Sequence, residues 1–72
     1  MDTDIAKKLA RQIRGLRKEK GLTQEKLAEL AGIDYKHIQL LESKNPPYSK
    51  LDTLEKLAKA FKISVSKLLI FK

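Results

Sequence analysis

The stretch from Leu22 to Glu42, LTQEKLAELAGIDYKHIQLLE, constrains this chain more than any other. Gly21 stands just before it and Gly32 interrupts it. Glycine takes the left-handed conformation that ends a helix without steric cost, so these two positions bracket a short helix. Thr23 can serve as its N-cap, the hydroxyl accepting from a free amide two or three residues on. Gln24 to Ala31 are mostly strong helix formers. Leu27, Ala28 and Ala31 share one face, and the two alanines are small enough to let a second helix approach closely. Past Gly32, Ile33 supplies an apolar plug, and Asp34 is a good N-cap for a second helix over Tyr35 to about Ser43. The stretch therefore reads as two short helices joined by a tight turn, at about residues 23–43.

On a 3.6-residue wheel, Asp34, His37, Ile38 and Leu41 fall on one side of the second helix. Lys36, Gln39, Leu40 and Ser43 fall on the other, with Tyr35 and Glu42 on the flank. The outward side offers a cation, an amide and a hydroxyl beside an aromatic ring. Lysine can donate to guanine and glutamine can pair with adenine in the major groove of DNA. In such docking the first turn of the helix lies nearest the bases.

LTQEKLAELAGID, the IxxLE pattern that ends at Glu42 and the later LDTLEKLAKAF together resemble the Xre family of phage-repressor and Cro-like DNA-binding domains. The resemblance runs from about Leu9 to Leu69 and rests on residue types and spacings taken together. It implies an all-α, five-helix, phage-repressor-like domain that binds operator DNA, usually as a dimer. Gln24 matches the glutamine that opens the first helix of the motif, which in the family touches phosphate and supports the base-reading side chains. Tyr35, Lys36 and Gln39 match recognition-helix positions. Leu40 matches a position that is often polar or basic, and its apolar side chain can instead pack on a thymine methyl. Ser43, Lys44 and Asn45 are placed for phosphate by the same resemblance. The loop that holds them is about one residue longer than the common family loop and lacks a glycine after Glu42. In several family members an arginine at the place of Arg17 pairs with the glutamate that ends the recognition helix. An Arg17–Glu42 ion pair is therefore expected, partly buried, setting the angle of that helix.

Seventy-two residues make one small domain, near the low end of what folds without staples. There is no cysteine, which excludes disulfides and thiolate metal sites and fits a reducing cytoplasm. No apolar run approaches the ~20 residues that span a bilayer, and MDTDIAKK lacks the apolar core of a secretion signal. These features point to the cytoplasm and away from membranes. Sixteen Lys and Arg against nine Asp and Glu give a net charge of +7, for which polyanions are the natural partners.

In chain order, Thr3 or Asp4 can cap a first helix over about Asp4 to Lys20, with Asp2 and Asp4 where acids favour a helix start. Ile5, Leu9, Ile13 and Leu16 form its apolar stripe. Lys7, Arg11, Arg14 and Lys18 form a cationic stripe, read either as a solvated face or as a flank that attracts DNA at long range. Pro46 and Pro47 stiffen the loop after Asn45. Tyr48 is expected to pack under that loop, or else to reach phosphate. Ser49 and Asp52 suggest a capping box for a fourth helix, whose apolar face is Leu51, Leu54, Leu57, Ala58 and Phe61. Lys62-Ile63 form a link, and Ser64 can cap a last short helix carrying Val65, Leu68 and Leu69, of which Leu68 and Leu69 can be core. Ile70 and Phe71 either cover the bottom of the first helix or make a dimer contact.

Catalysis needs a nucleophile with a base, a metal cluster or a cofactor cradle. His37 is the one histidine, it falls at the edge of the core side of its helix, and it reads as packed rather than functional. No enzyme, metal or cofactor is expected. The sequence points to a sequence-specific regulator of double-stranded DNA acting as a homodimer: a small autoregulatory repressor, a restriction–modification controller or an antitoxin-type component. The rival is a protein-interaction module on the same scaffold, with Leu40 and Phe71 meeting a toxin or a polymerase subunit. A non-specific, charge-driven DNA binder is the third reading.

Overall fold

The computed structural model describes residues 5–71. Among them the chain forms five helices and no strand: α1 (Ile5–Glu19), α2 (Gln24–Ala31), α3 (Tyr35–Leu41), α4 (Leu51–Phe61) and α5 (Val65–Leu68). The expected five-helix, all-α architecture is the one observed. The first-helix caps proposed at Thr3 and Asp4, and the acid at Asp2, lie outside the described residues.

Three helices stop in the same way. Gly21 has φ +67°, and the N–H groups of Gly21 and Leu22 donate back to the carbonyls of Lys18 (3.0 Å) and Arg17 (2.9 Å). Gly32 repeats this at φ +67°, with Gly32 donating to Glu29 (3.3 Å) and Ile33 to Ala28 (3.0 Å). The pattern pairs carbonyls that a helix end would otherwise leave without partners. It also turns the following apolar residue back onto the core, where Leu22, Ile33 and Ile63 all pack. The third stop is at Lys62, with φ +61° and bonds from Lys62 to Lys59 (3.0 Å) and from Ile63 to Ala58 (3.0 Å). Its side chain carries a Cβ into the left-handed region at a cost of about 1 kcal/mol. The sequence marked Lys62-Ile63 as a link without showing how it turns.

Two of the expected caps form. Thr23 accepts from the Lys26 N–H at 3.0 Å and Ser64 from the Lys67 N–H at 3.0 Å. Two do not. Asp34 stands at the N-cap position of α3, but its side chain accepts no capping bond. The α4 N-cap is Lys50, so Ser49 lies one residue too early for a capping box with Asp52.

Each helix contributes a side chain fully excluded from water: Ile13, Leu27, Ile38, Leu57 with Phe61, and Leu68. Burial of each such side chain is worth roughly 1.5–3 kcal/mol. Elsewhere the apolar expectations need correction. Leu51 is 81% exposed, because the stripe of Leu54, Leu57 and Phe61 continues into the first turn of α4 past the layer that covers it. Ile5, at the start of the apolar stripe of α1, and Leu69, expected in the core, are exposed at the edges of the packed layer. Tyr48 is 72% exposed and does not pack under its loop. At the C-terminal end, Gln12 Nε2 donates to the carbonyls of Leu68 (3.1 Å) and Ile70 (3.0 Å), which ties α5 to α1. Phe71 packs against the core beside α1, and Ile70 faces outward.

Candidate nucleic-acid interface

The turn at Gly32 sets α3 across α2, with Ile38 and Leu41 buried and His37 half-buried. The helix therefore has one fixed side and one free side. Tyr35, Lys36, Gln39 and Leu40 are all exposed on the free side. Spacings of three and four make them neighbours on the helix surface, a single patch with a phenol, an ammonium, an amide and an isobutyl group. The structure thus brings together the four side chains that the sequence singled out for base contact. Leu40, 53% exposed, is an apolar side chain left in water on this patch.

A polar anchor beneath the patch holds the helix in place. Glu42 caps the C-terminus of α3 and is 3% exposed. Arg17 meets its carboxylate with two parallel bonds, Nε to Oε2 at 2.8 Å and Nη2 to Oε1 at 3.0 Å. Bidentate pairing of this kind fixes orientation as well as charge. Arg17 Nη1 also donates to the Leu22 carbonyl at 2.8 Å, so one guanidinium ties α1, the α1–α2 turn and the end of α3 together. The expected Arg17–Glu42 pair is present and partly buried. Two further partners were not foreseen. Arg14 Nη2 donates to the Glu42 backbone carbonyl at 2.7 Å, and Gln24 Nε2 donates to Glu42 Oε1 at 3.1 Å. The signal for Arg14 was its position one helical turn before Arg17 on the same helix.

The residues placed for phosphate differ among themselves. Gln24 gives one amide N–H to Glu42, which aims the side chain and leaves the second N–H for another acceptor. The Ser43 hydroxyl donates to the Leu40 carbonyl at 2.6 Å, and the Ser43 N–H donates to the same oxygen at 3.1 Å. Both Ser43 donors are therefore committed to the last turn of α3. Lys44 and Asn45 are exposed in the loop that follows. Among the described residues no group of three His, Cys, Asp or Glu side chains can hold a metal ion, and no helix is long and apolar enough to cross a membrane.

The model of the helix-turn-helix family matches residues 13–68, from the middle of α1 through α5. The chain belongs to the helix-turn-helix family. Within it, the chain is 42% identical over 62 residues to a competence pilus inhibition repressor of Acinetobacter baylyi, covering 86% of this chain and 56% of that protein. The chain thus spans little more than half the length of that relative. The restriction–modification controller protein C.AhdI of Aeromonas hydrophila has the same helix-turn-helix fold, with a TM-score of 0.81, 34% identity, and 93% of this chain and 98% of that one covered. A second controller protein, C.Esp1396I, in a structure bound to a 25-base-pair operator site, superposes with a TM-score of 0.83 at 29% identity, covering 96% of this chain and 93% of that one.

Proposed function

We propose that this chain is a DNA-binding transcriptional regulator, of repressor or controller type, that reads double-stranded DNA with the exposed face of α3 as a homodimer. The observation that carries the reading is the contrast within α3 itself: a free face of Tyr35, Lys36, Gln39 and Leu40, held rigid by a glutamate buried beneath it. Such a helix enters a major groove with little left to order, so binding energy goes to contacts. Lys36 donates to guanine and Gln39 pairs with adenine, while Tyr35 contacts a base or the adjoining phosphate. The second N–H of Gln24, with Lys44 and Asn45, supplies phosphate contacts that fix register, and Ser43 joins them only by turning its hydroxyl away from Leu40. The resemblance to controller and repressor domains supports a cytoplasmic binding protein rather than an enzyme.

Selection of bound sites from a random DNA pool tests the reading. An enriched palindrome with half-sites about 34 Å apart is the expected result for a dimer. A single enriched half-site argues for a monomer. No enrichment from folded protein would remove the sequence-specific role. Lys36→Ala and Gln39→Ala should each weaken the selected site by about 1–3 kcal/mol and relax preference at one base pair. If α3 instead serves a protein partner, both variants leave DNA binding unchanged.

A further inference from the structure

The cationic stripe of α1 divides in the folded chain. Lys7, Arg11 and Arg14 line one side of a cleft of about 260 Å³, and Ser43 and Lys44, from the loop after α3, line the other. Lys18 lies outside it. Glu42 also lines the cleft; its carboxylate is buried, is engaged by Arg17 and Gln24, and lies 3.8 Å from Arg14 Nε, so it offsets the charge of Arg14 only in part. Arg14 is fixed in place by its bond to the Glu42 carbonyl while its side chain stays half exposed. No ion pair among the described residues engages Lys7, Arg11 or Lys44.

We infer that this cleft is a second DNA contact, which seats the phosphate backbone flanking the groove entered by α3 and extends the footprint of the protein along one strand. Two features favour a DNA strand over a free anion. The cleft is continuous with the α3 interface through Ser43 and Lys44. Its cations also run as a row, Lys7 to Arg14 covering about 10 Å of helix, rather than converging on one point. A row of that length can face more than one phosphate of a single strand, whose charges recur about every 3.4 Å along the duplex axis. The inference rests on the DNA-binding reading above.

The test is the salt dependence of binding to the selected site by the full chain. Neutralising one cation that binds phosphate lowers the slope of log K against log salt by about 0.9, so the double variant Lys7→Gln/Arg11→Gln should lower it by about 1.8 per bound protomer, about 3.6 for the dimer, without changing the preferred sequence. Lys56→Gln/Lys59→Gln removes the same charge from exposed positions on α4 outside the cleft and should leave the slope within about 0.5 of the parent. Equal reductions in the two pairs would show that net charge alone is felt, and an unchanged slope in the first pair would show that no phosphate sits there. Either result overturns the inference. If no site is enriched at all, the proposed function fails instead, and the same comparison on an arbitrary duplex still decides whether the cleft holds phosphate. Titration with inorganic phosphate separates the sources: saturable binding at Arg11 and Lys44 with an unchanged DNA slope would mean a free anion and not a strand.

Discussion

The two halves of α1 are finished in opposite ways. In the C-terminal half, Arg14 and Arg17 reach Glu42, and the carboxylate and carbonyl there are all paired. In the N-terminal half, Ile5, Ala6 and Leu9 border an apolar groove of about 280 Å³ with Tyr48, Leu54 and Phe71. The Ser49 hydroxyl, buried at that groove, has no hydrogen-bond partner among the described residues. One helix thus carries a tightly specified polar joint at the end that aims α3, and a loosely packed apolar edge at the other. Precision is concentrated where a side-chain patch must be held in register. Far from that patch, approximate burial is enough.

The largest test of the contrast breaks the joint. Arg17→Ala strands a buried carboxylate and should cost about 3 kcal/mol, a large share of the stability of so small a domain. Chemical denaturation monitored by helix content measures it, and a loss below about 0.5 kcal/mol would show that the joint is solvated after all. At the other end the sign should reverse. Ser49→Ala removes a buried hydroxyl that bonds to nothing among the described residues, and should raise stability by about 1 kcal/mol. A loss of similar size in the same denaturation experiment would reveal a partner for that hydroxyl. The smallest effect belongs to Leu51→Ala. A side chain 81% exposed has little burial to lose, so the change should stay within about 0.5 kcal/mol. A cost of 2 kcal/mol or more, on the scale of core truncations, would restore Leu51 to the core.

The residues explain how far the sequence could be read. Gly21, Gly32, Thr23 and Ser64 announced their roles because each acts within a few positions of itself, through a left-handed turn or a short capping bond. The α3 patch was legible because the helix phase follows from Ile38 and Leu41, which must face inward. The Arg17–Glu42 pair spans 25 positions and came from resemblance to a family, since spacing alone does not reveal it. What escaped depends on where elements end in space. Leu51 keeps the phase of the α4 stripe but lies beyond the layer that covers it. Asp34 and Ser49 have the chemistry of caps without the register or the geometry. Lys62 adopts a glycine conformation with no residue-type signal. The family resemblance points Gln24 toward phosphate, and the structure adds an inward bond that only the assembled α3 end provides.

The three matching helix stops also bear on how quickly the chain finds its fold. Each is closed by bonds between residues three to five positions apart, at Gly21, Gly32 and Lys62. Corners of this kind lose little loop-closure entropy when they form, so the α1–α2, α2–α3 and α4–α5 junctions can appear early and independently. A search dominated by such short-range events runs in microseconds to milliseconds. The slower encounters left to the chain are those of α1 with the end of α3, where the guanidinium of Arg17 finds Glu42, and of α1 with α5, where Gln12 finds the carbonyls of Leu68 and Ile70.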